Sequence, residues 1–312
     1  MVDAEFMESL RQLSFGVETT WGTAATTKNL WPGGIPQRFS GKVSATNVPY
    51  SGFGTAQKRL GLATTGRDVA WSFESLLQNP KFCQYLAAAA DTGAGPYTHT
   101  IDMDQTGATN PAGLTLVETS VDPASGGSNH VTRQYTGAKL ASARFSYPNK
   151  DIIKAEFTGT SKVPTADTAA QTVTAATTAP YLSANTVLTV GGDTFTQAFN
   201  ATVEITTGLV SDNHGFNTLD IHEQARGEAG ATITFDRYFK NVDVFADIIA
   251  GTEVDISLVT TRGANDTFTI NLNDCQYTEH DKSEGYTDKQ KETATLNVET
   301  WQIVVVDSTA SW

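Results

Sequence analysis

The sequence predicts a mainly β protein with two tandem β-sandwich or β-barrel domains, each with one flanking α-helix and a long loop. Three observations lead to this fold class. Many segments alternate apolar and polar residues at period two, a strand-to-helix unit occurs twice, and further segments recur around it in the same order. At 312 residues the chain is long enough for two domains that each bury a core.

The repeated unit is Val69–Ala89, whose counterpart is Ala231–Gly251. Trp71 and Phe73 match Ile233 and Phe235 at the alternating spacing of a half-buried strand. Apolar residues then recur at helical spacing in both copies, at Leu77, Phe82, Leu86 and at Phe239, Val244, Ile248. Each copy therefore predicts a strand that continues into an amphipathic helix.

Three further segments match in the same order. They are Gly52–Thr55 with Gly215–Thr218, Leu114–Thr119 with Ile256–Thr261, and Ala155–Phe157 with Ala294–Leu296. Length differences fall in polar loops, where insertions cost little. A chance alignment of β-rich segments is the alternative, but four matches in one order favour a duplication.

The division that follows is an N-terminal arm plus first domain at 1–165, a linker at 166–180 and a second domain at 181–312. Residues 166–179 are low in complexity, which is typical of a linker. The predicted strands are 38–48, 134–147, 152–160, 185–190, 199–206, 254–261, 267–277 and 293–306. Residues 13–34 are predicted as an extended arm, and 91–113 as a polar connection.

Composition narrows the classes of function. A net charge of −13 argues against general attraction to nucleic-acid phosphate. Two lone cysteines, Cys83 and Cys275, predict no disulfide framework. No apolar run approaches the ~20 residues that span a bilayer, and the first twelve residues do not resemble a signal peptide, so a protein folded in a reducing cytoplasm is expected.

No catalytic, cofactor or metal motif stands out, and the expectation is a protein that is not an enzyme and carries no cofactor. His222-Glu223 has no second histidine at the spacing that a zinc protease needs. Asp102, Asp104 and Thr106 begin like a calcium loop, but Gly113 stands where the bidentate Glu belongs. Calcium near Asp102 therefore stays open.

The opening stretch Phe15–Ala24, FGVETTWGTA, resembles the opening motif of tail tube (major tail) proteins of long-tailed bacteriophages. Gly66–Asp68 before a strand and helix, and Pro96–Thr100 after them, resemble the same family in order. The resemblance covers most of 13–160, and the second half fits as a degenerate copy without the opening motif. It implies β-sandwich subunits flanked by a helix, in rings that stack into a tube conducting DNA.

With two tube domains per chain, the resemblance implies a trimeric ring with pseudo-sixfold symmetry and self-association as the main partnership. Other tail proteins, such as the tape-measure protein and tail terminator, are expected partners. DNA should pass the lumen without tight binding, and no membrane is involved. The expected location is the virion tail, after synthesis in the host cytoplasm.

Two long connections are the predicted contact segments. Residues 50–66 are Gly-rich and basic, whereas 209–230 are acidic, so the two suit complementary contacts. Large apolar side chains in the arm and in these connections would be costly to leave exposed. The predicted subunit and ring contacts are Trp21, Trp31, Phe53, Lys58, Arg59, Leu60, Leu62, Arg67, Asp212, Phe216, Asp220 and Glu223.

Two other functions remain open at this stage. A two-domain β-sandwich binding or adhesion module of a phage tail or surface structure has the same Thr- and Gly-rich composition. A metal-assisted hydrolase would rest on His214, His222 and nearby acids. Only the opening motif and the strand-to-helix unit favour the tube protein over the binding module.

Overall fold

A computed structural model gives the fold of most of the chain. It describes residues 12–50, 61–103, 112–121, 130–167, 171, 173–174, 177–195, 198–210, 218–221, 224–238, 243–283 and 290–310. These residues are mainly in antiparallel β-strands, so the prediction of a mainly β fold is confirmed.

Within the described ranges, eighteen strands and one α-helix form the framework. The strands are β1 Gln12–Val17, β2 Gly34–Tyr50, β3 Gly61–Leu77, β4 Ala88–Thr92, β5 Tyr97–Asp102, β6 Leu114–Val121, β7 His130–Tyr147, β8 Lys154–Ser161, β9 Thr165–Asp167, β10 Thr186–Val190, β11 Asp193–Thr194, β12 Ala198–Thr206, β13 Leu209–Val210, β14 Ala225–Arg226, β15 Gly230–Tyr238, β16 Glu253–Gly263, β17 Asp266–Ser283 and β18 Lys291–Asp307. The α-helix, α1, is Asp243–Ala250, and short 3₁₀ helices lie at Pro80–Tyr85 and Ser183–Asn185.

Strict alternation explains the central strands. In β8, every second side chain is buried, and in β15 the buried residues include Ile233 and Phe235. One face of the sheet therefore packs a core while the other stays polar. Gly159 is needed in β8 because a Cβ there would lie 2.1 Å from the Lys139 carbonyl oxygen and 2.4 Å from the Trp71 ring.

The two halves of the chain share one sheet and one core. Sixteen strands join in a single sheet, and its main path runs β11-β10-β16-β17-β18-β15-β12-β7-β8-β3-β2. Phe268 of the second half packs 5.5 Å from Phe145 of the first, between ring centroids, and 6.0 Å from Tyr181. β5 of the first half also pairs with β18 of the second.

Each half has the same strand order. Neighbours run β2-β3-β8-β7-β6-β1 in the first half and β12-β15-β18-β17-β16-β10 in the second. Taken in chain order, these strands correspond one to one. A short helix follows β3 in the first half and β15 in the second.

Three β-bulges also recur at corresponding places. They lie at Pro36/Arg38 and Ala198/Asn200, at Leu114/Leu116 and Val254/Ile256, and at Leu140/Ser142 and Tyr277/Glu279. In the first pair, Ala198 of β12 lies 162 residues after Pro36 of β2. In the last pair, Tyr277 of β17 lies 137 residues after Leu140 of β7. Because a bulge inserts one residue at one point of a ladder, the matching positions fix the register between the halves.

This register differs by two residues from two of the sequence matches. Phe73 lies opposite Phe157, and its counterpart Phe235 lies opposite Ala294. Phe157 therefore corresponds to Ala294, not to Leu296. The register shift in the β6–β7 ladder matches Leu114 with Val254, not with Ile256. A shift of two keeps every side chain on the same face, so the apolar pattern does not reveal it.

Three details of the predicted elements were wrong. The helix after β3 is a six-residue 3₁₀ helix, because Pro80 starts it and the chain enters β4 soon after Tyr85. Residues 91–113 include the end of β4 and all of β5, whose pairing with β18 outweighs their polar composition. The arm begins as a regular strand, since β1 pairs with β6.

The predicted linker starts inside the sheet, because β9 pairs with β7. At its far end Tyr181 is buried, and its backbone N–H donates to the Leu77 carbonyl oxygen at 2.8 Å. The division into two domains remains a prediction.

Candidate assembly surfaces

The run of eight strands from β2 to β17 has an open edge at each end. Within the described part of the chain, β2 pairs only with β3, and β17 beyond Gln276 pairs only with β18. An open edge presents unpaired N–H and C=O groups, which readily accept another strand. These two edges are the first candidate contact surfaces.

A seam inside the chain shows how such edges can meet. Residues 142–147 of β7 pair antiparallel with 201–206 of β12. At this seam, first-half strands lie on one side within the sheet and second-half strands lie on the other. In the repeat, β7 corresponds to β17 and β12 to β2, so the two open edges are the counterparts of the two strands that the seam joins.

The solvent-facing side of this run is polar and charged. Acidic side chains are the more numerous among its described residues: Asp68, Glu74, Glu156, Glu204, Asp236, Glu279 and Asp281, against Arg38, Lys42, Lys139, Arg144, Lys154 and Lys291. Basic residues lie mostly on first-half strands. The second-half strands supply Glu204, Asp236, Glu279 and Asp281, so the charge of this face is unequal between halves.

The connection after β12 folds back onto the first half. Arg226 donates hydrogen bonds to the carbonyl oxygens of Tyr85 at 2.8 Å and Leu86 at 2.6 Å, at the end of the first 3₁₀ helix. Burial lowers the pKa of the Arg226 guanidinium. Gln224 is buried and donates to Thr160 Oγ1 at 2.8 Å. The described part of this connection around Gln224 and Arg226, here called the docked segment, thus packs on the first half.

The connection between β2 and β3 has a different environment. Its two strands extend as a hairpin arm, here called the β2–β3 arm (45–50 and 61–66), in which most described side chains are exposed. Val48, Tyr50 and Leu62 are 47%, 53% and 64% exposed. The corresponding segment of the second half packs on the first half, whereas the β2–β3 arm leaves its apolar residues exposed. The arm is therefore a second candidate surface for contact with another chain.

The opening motif has a structural role inside the chain. Glu18 Oε1 accepts hydrogen bonds from Thr115 Oγ1 at 2.9 Å and the Gly137 N–H at 2.8 Å, while Oε2 accepts from the Gly22 N–H at 2.7 Å. Burial raises the pKa of the Glu18 carboxyl, against the opposing effect of these hydrogen bonds and of the Lys162 charge. The motif therefore fastens the arm to β6 and β7.

The structure places the predicted contact residues in several environments. Trp21 donates from Nε1 to the Gly137 carbonyl oxygen at 3.0 Å, and Lys162 Nζ lies 4.6 Å above its ring. Trp31 is half-buried, and Leu62 is exposed on the β2–β3 arm. Phe53, Lys58, Arg59, Leu60, Asp212, Phe216 and Glu223 lie outside the described residues.

Arg67 and Asp220 were predicted to meet across a subunit boundary, but they form an ion pair within one chain. Arg67 Nε lies 2.9 Å from Asp220 Oδ1, and both side chains are about one-third exposed. The Arg67 N–H also donates to the Leu219 carbonyl oxygen at 2.7 Å. This ion pair joins the two connections inside the chain, and a contact of either residue with another subunit remains a prediction.

Sequence reasoning missed Lys42 and Asp281 on the open edges, and Arg226 in the docked segment. A comparison of the two long connections could have found Arg226, whereas Lys42 and Asp281 lie outside those connections. Residues 45–68 and 207–230 have equal length, since the spacing of 162 holds on both β2/β12 and β3/β15. Equal lengths make residue-by-residue comparison of the two connections possible.

The described residues contain no group of three or more His, Cys, Asp or Glu side chains that could hold a metal ion. Asp102, the first residue of the candidate calcium loop, accepts a hydrogen bond from Gln302 at 3.0 Å, and residues 104–111 lie outside the described part. No helix in the described ranges is long and apolar enough to span a membrane.

Comparisons with known proteins identify the family. The structure of Hcp1 from Flavobacterium johnsoniae is 14% identical in sequence, over 38% of this chain and 93% of that one, with a TM-score of 0.27. No curated protein matches the sequence. A family model described as "Phage tail tube protein" matches residues 8–300, nearly the whole chain, and the chain therefore belongs to the phage tail tube protein family.

Proposed function

We propose that three copies of this chain close a ring in which both halves act as tube domains, and that these rings stack into the conduit for DNA ejection. Each chain contributes the eight strands from β2 to β17. Three chains would bring twenty-four strands, three times eight, into one barrel with pseudo-sixfold symmetry. Membership of the family supports a structural role in the virion and self-assembly into a tube.

The observation that carries the trimer is the correspondence between the seam and the open edges. The two halves share a strand order and three bulge positions, and they meet at β7 and β12. The open edges are the counterparts of those same strands. Closing the ring would pair both edges, which removes the surfaces that otherwise invite uncontrolled association.

The polar face of the eight-strand run is the proposed channel lining. Its acidic residues outnumber its basic ones among the described positions, and the whole chain carries a net charge of −13. A lining of this kind does not grip phosphate, so DNA can slide. Tape-measure and tail-terminator proteins are proposed partners of the tube, which would be built in the host cytoplasm.

Electron microscopy of the purified protein tests this proposal. Regular hollow tubes or rings are the expected result. Discrete monomers that bind glycans would support a binding or adhesion module instead. A reconstruction with six chains per ring, and the second half outside the barrel, would overturn the two-domain arrangement.

A further inference from the structure

The seam within the chain has a defined register. Thr207 donates its N–H to the Ala141 carbonyl oxygen at 2.9 Å, which makes them a hydrogen-bonded pair. Pairs alternate along an antiparallel ladder, so Glu204 and Arg144, opposite each other, form a non-hydrogen-bonded pair. Such pairs bring opposing Cα atoms to about 4.5 Å and their side chains close together.

The bulge positions carry this register to the open edges. Residues of β12 lie 162 positions after their β2 counterparts, and residues of β17 lie 137 after those of β7. Glu204 therefore corresponds to Lys42, and Arg144 to Asp281. Two residue pairs along, Thr206 and Ser142 correspond to Ser44 and Glu279.

The charges at the transferred positions are complementary. At the seam, β12 supplies the acid and β7 the base; at the open edges, β2 supplies the base Lys42 and β17 the acid Asp281. Both side chains are exposed, and neither forms an ion pair within the described residues. The acid and the base have thus exchanged strands between the seam and the open edges.

We infer that β17 of one chain pairs with β2 of a second copy in the register that places Asp281 opposite Lys42. This inference rests on the proposed function, because it needs rings to form, and it specifies the contact that closes them. If β2 pairs with β17, Lys42 faces the opposite charge of Asp281. If β2 instead paired with β7 of another chain, Lys42 would face the like charge of Arg144. The partner is thus a second copy of this chain in one register.

Engineered cysteines test the register in assembled tubes. Ser44→Cys combined with Glu279→Cys keeps the Lys42–Asp281 pair and places two cysteines at the spacing that a disulfide spans. Under mild oxidation, denaturing gels without reductant should show loss of the monomer band and covalent dimers and trimers. The native Cys83 and Cys275 are buried and should not interfere.

The matched control is Ser40→Cys with Glu279→Cys, on the same strands and the same face. Its cysteines lie four residues out of register, about 13 Å along the strand, and should stay reduced. Crosslinks in this control but not in the first variant would overturn the register. Normal tubes with no crosslink in either variant would overturn the edge pairing while leaving the tube function intact; absence of tubes in the wild type would instead contradict the proposed function.

Charge reversal provides an independent test. Lys42→Glu or Asp281→Lys alone should abolish or slow tube formation, and the double reversal should restore it. If each single variant assembles like the wild type, or the double variant does not recover, Lys42 and Asp281 do not face each other. Circular dichroism of unassembled protein identifies any variant that fails to fold, and in that case the cysteine pairs decide the inference.

Discussion

Arg144 of β7 lies directly opposite Glu204 of β12, where the two halves of the chain meet in one sheet. On its other side Arg144 faces Glu156 of β8, which in turn lies opposite Glu74 of β3. A basic residue is thus placed between two acids at the internal seam.

Arg144→Glu should destabilise the unassembled subunit. The change sets like charges across two strands, and each such pair contributes about 0.2–1 kcal/mol. We expect a loss of about 1–2 kcal/mol in the free energy of unfolding, measured by urea denaturation. Adding Glu204→Lys should recover part of it. An unchanged midpoint for Arg144→Glu would mean that the pairing at the seam has no electrostatic component.

Glu18→Gln should weaken the attachment of the arm. The amide nitrogen cannot accept the Gly22 N–H that Oε2 accepts at 2.7 Å, so a half-buried donor loses its partner at a cost of about 1 kcal/mol. Thermal unfolding of wild type and variant gives the difference. Thr20→Ser, in the same motif but without a contact to Glu18 in the described structure, serves as the control.

The Glu18 comparison also has a pH dependence. Burial raises the carboxyl pKa in the folded state above its ordinary value of 4.5, so the folded protein binds this proton more tightly than the unfolded chain. Its stabilising contribution is full below that ordinary value and is lost as the pH rises through the folded-state pKa. The advantage of wild type over Glu18→Gln should therefore shrink with rising pH. A growing advantage would show that the carboxylate hydrogen bonds outweigh burial.

His99 connects strands of the two halves from a fully buried position. Its Nδ1 lies 2.7 Å from Asp91 Oδ1 and its Nε2 lies 3.1 Å from Asp307 Oδ1. His99→Phe removes both contacts and should cost about 1–3 kcal/mol in unfolding free energy. Thr98→Val, on the same strand and half-buried, should be nearly neutral. Equal effects of the two variants would contradict a specific role for the imidazole.

The β2–β3 arm should matter for assembly and not for folding. Leu62→Asp places a charge where an apolar contact, 64% exposed in the single chain, should become buried between chains. The corresponding connection in the second half docks beside the 3₁₀ helix, so the expected receiver on the neighbouring chain is α1, where Ile249 is 72% exposed. Ile249→Asp should therefore block assembly in the same way.

Sedimentation velocity would measure this loss of assembly, with Val187→Asp as a control on an exposed valine of β10. Burying each apolar side chain is worth about 1.5–3 kcal/mol, more than an exposed ion pair. Deletion of residues 57–62 should act similarly, and Lys58→Glu with Arg59→Glu should change the salt dependence. Tubes of normal length from Leu62→Asp would make the arm a solvated hairpin.

Assembled tubes should bind double-stranded DNA weakly at physiological salt, because acids outnumber bases on the proposed lining. Glu204→Lys combined with Asp236→Lys should create salt-sensitive DNA binding. A filter-binding assay over a range of salt concentrations measures both. Tight binding by the wild type would contradict the assignment of this face to the channel.

The strands were predictable wherever alternation is local, as at β8 and β15. The seam was not, because pairing between residues as distant as Arg144 and Glu204 leaves no local pattern. β5 lies in the stretch predicted as a polar connection, and its pairing with β4 and with β18, which leaves no local pattern, explains why it is a strand. The candidate surfaces were partly predictable: exposed Leu62 follows from composition, whereas Lys42 and Asp281 depend on a register that two bulges define.

The central claim is that one chain supplies two of six equivalent positions in a ring. A cryo-electron microscopy reconstruction of the assembled tube, at a resolution that separates strands, tests it most directly. The account predicts three chains per ring and a barrel of alternating first and second halves, with β17 beside β2 of the next chain. Six chains per ring, or a second half lying outside the barrel, would contradict it.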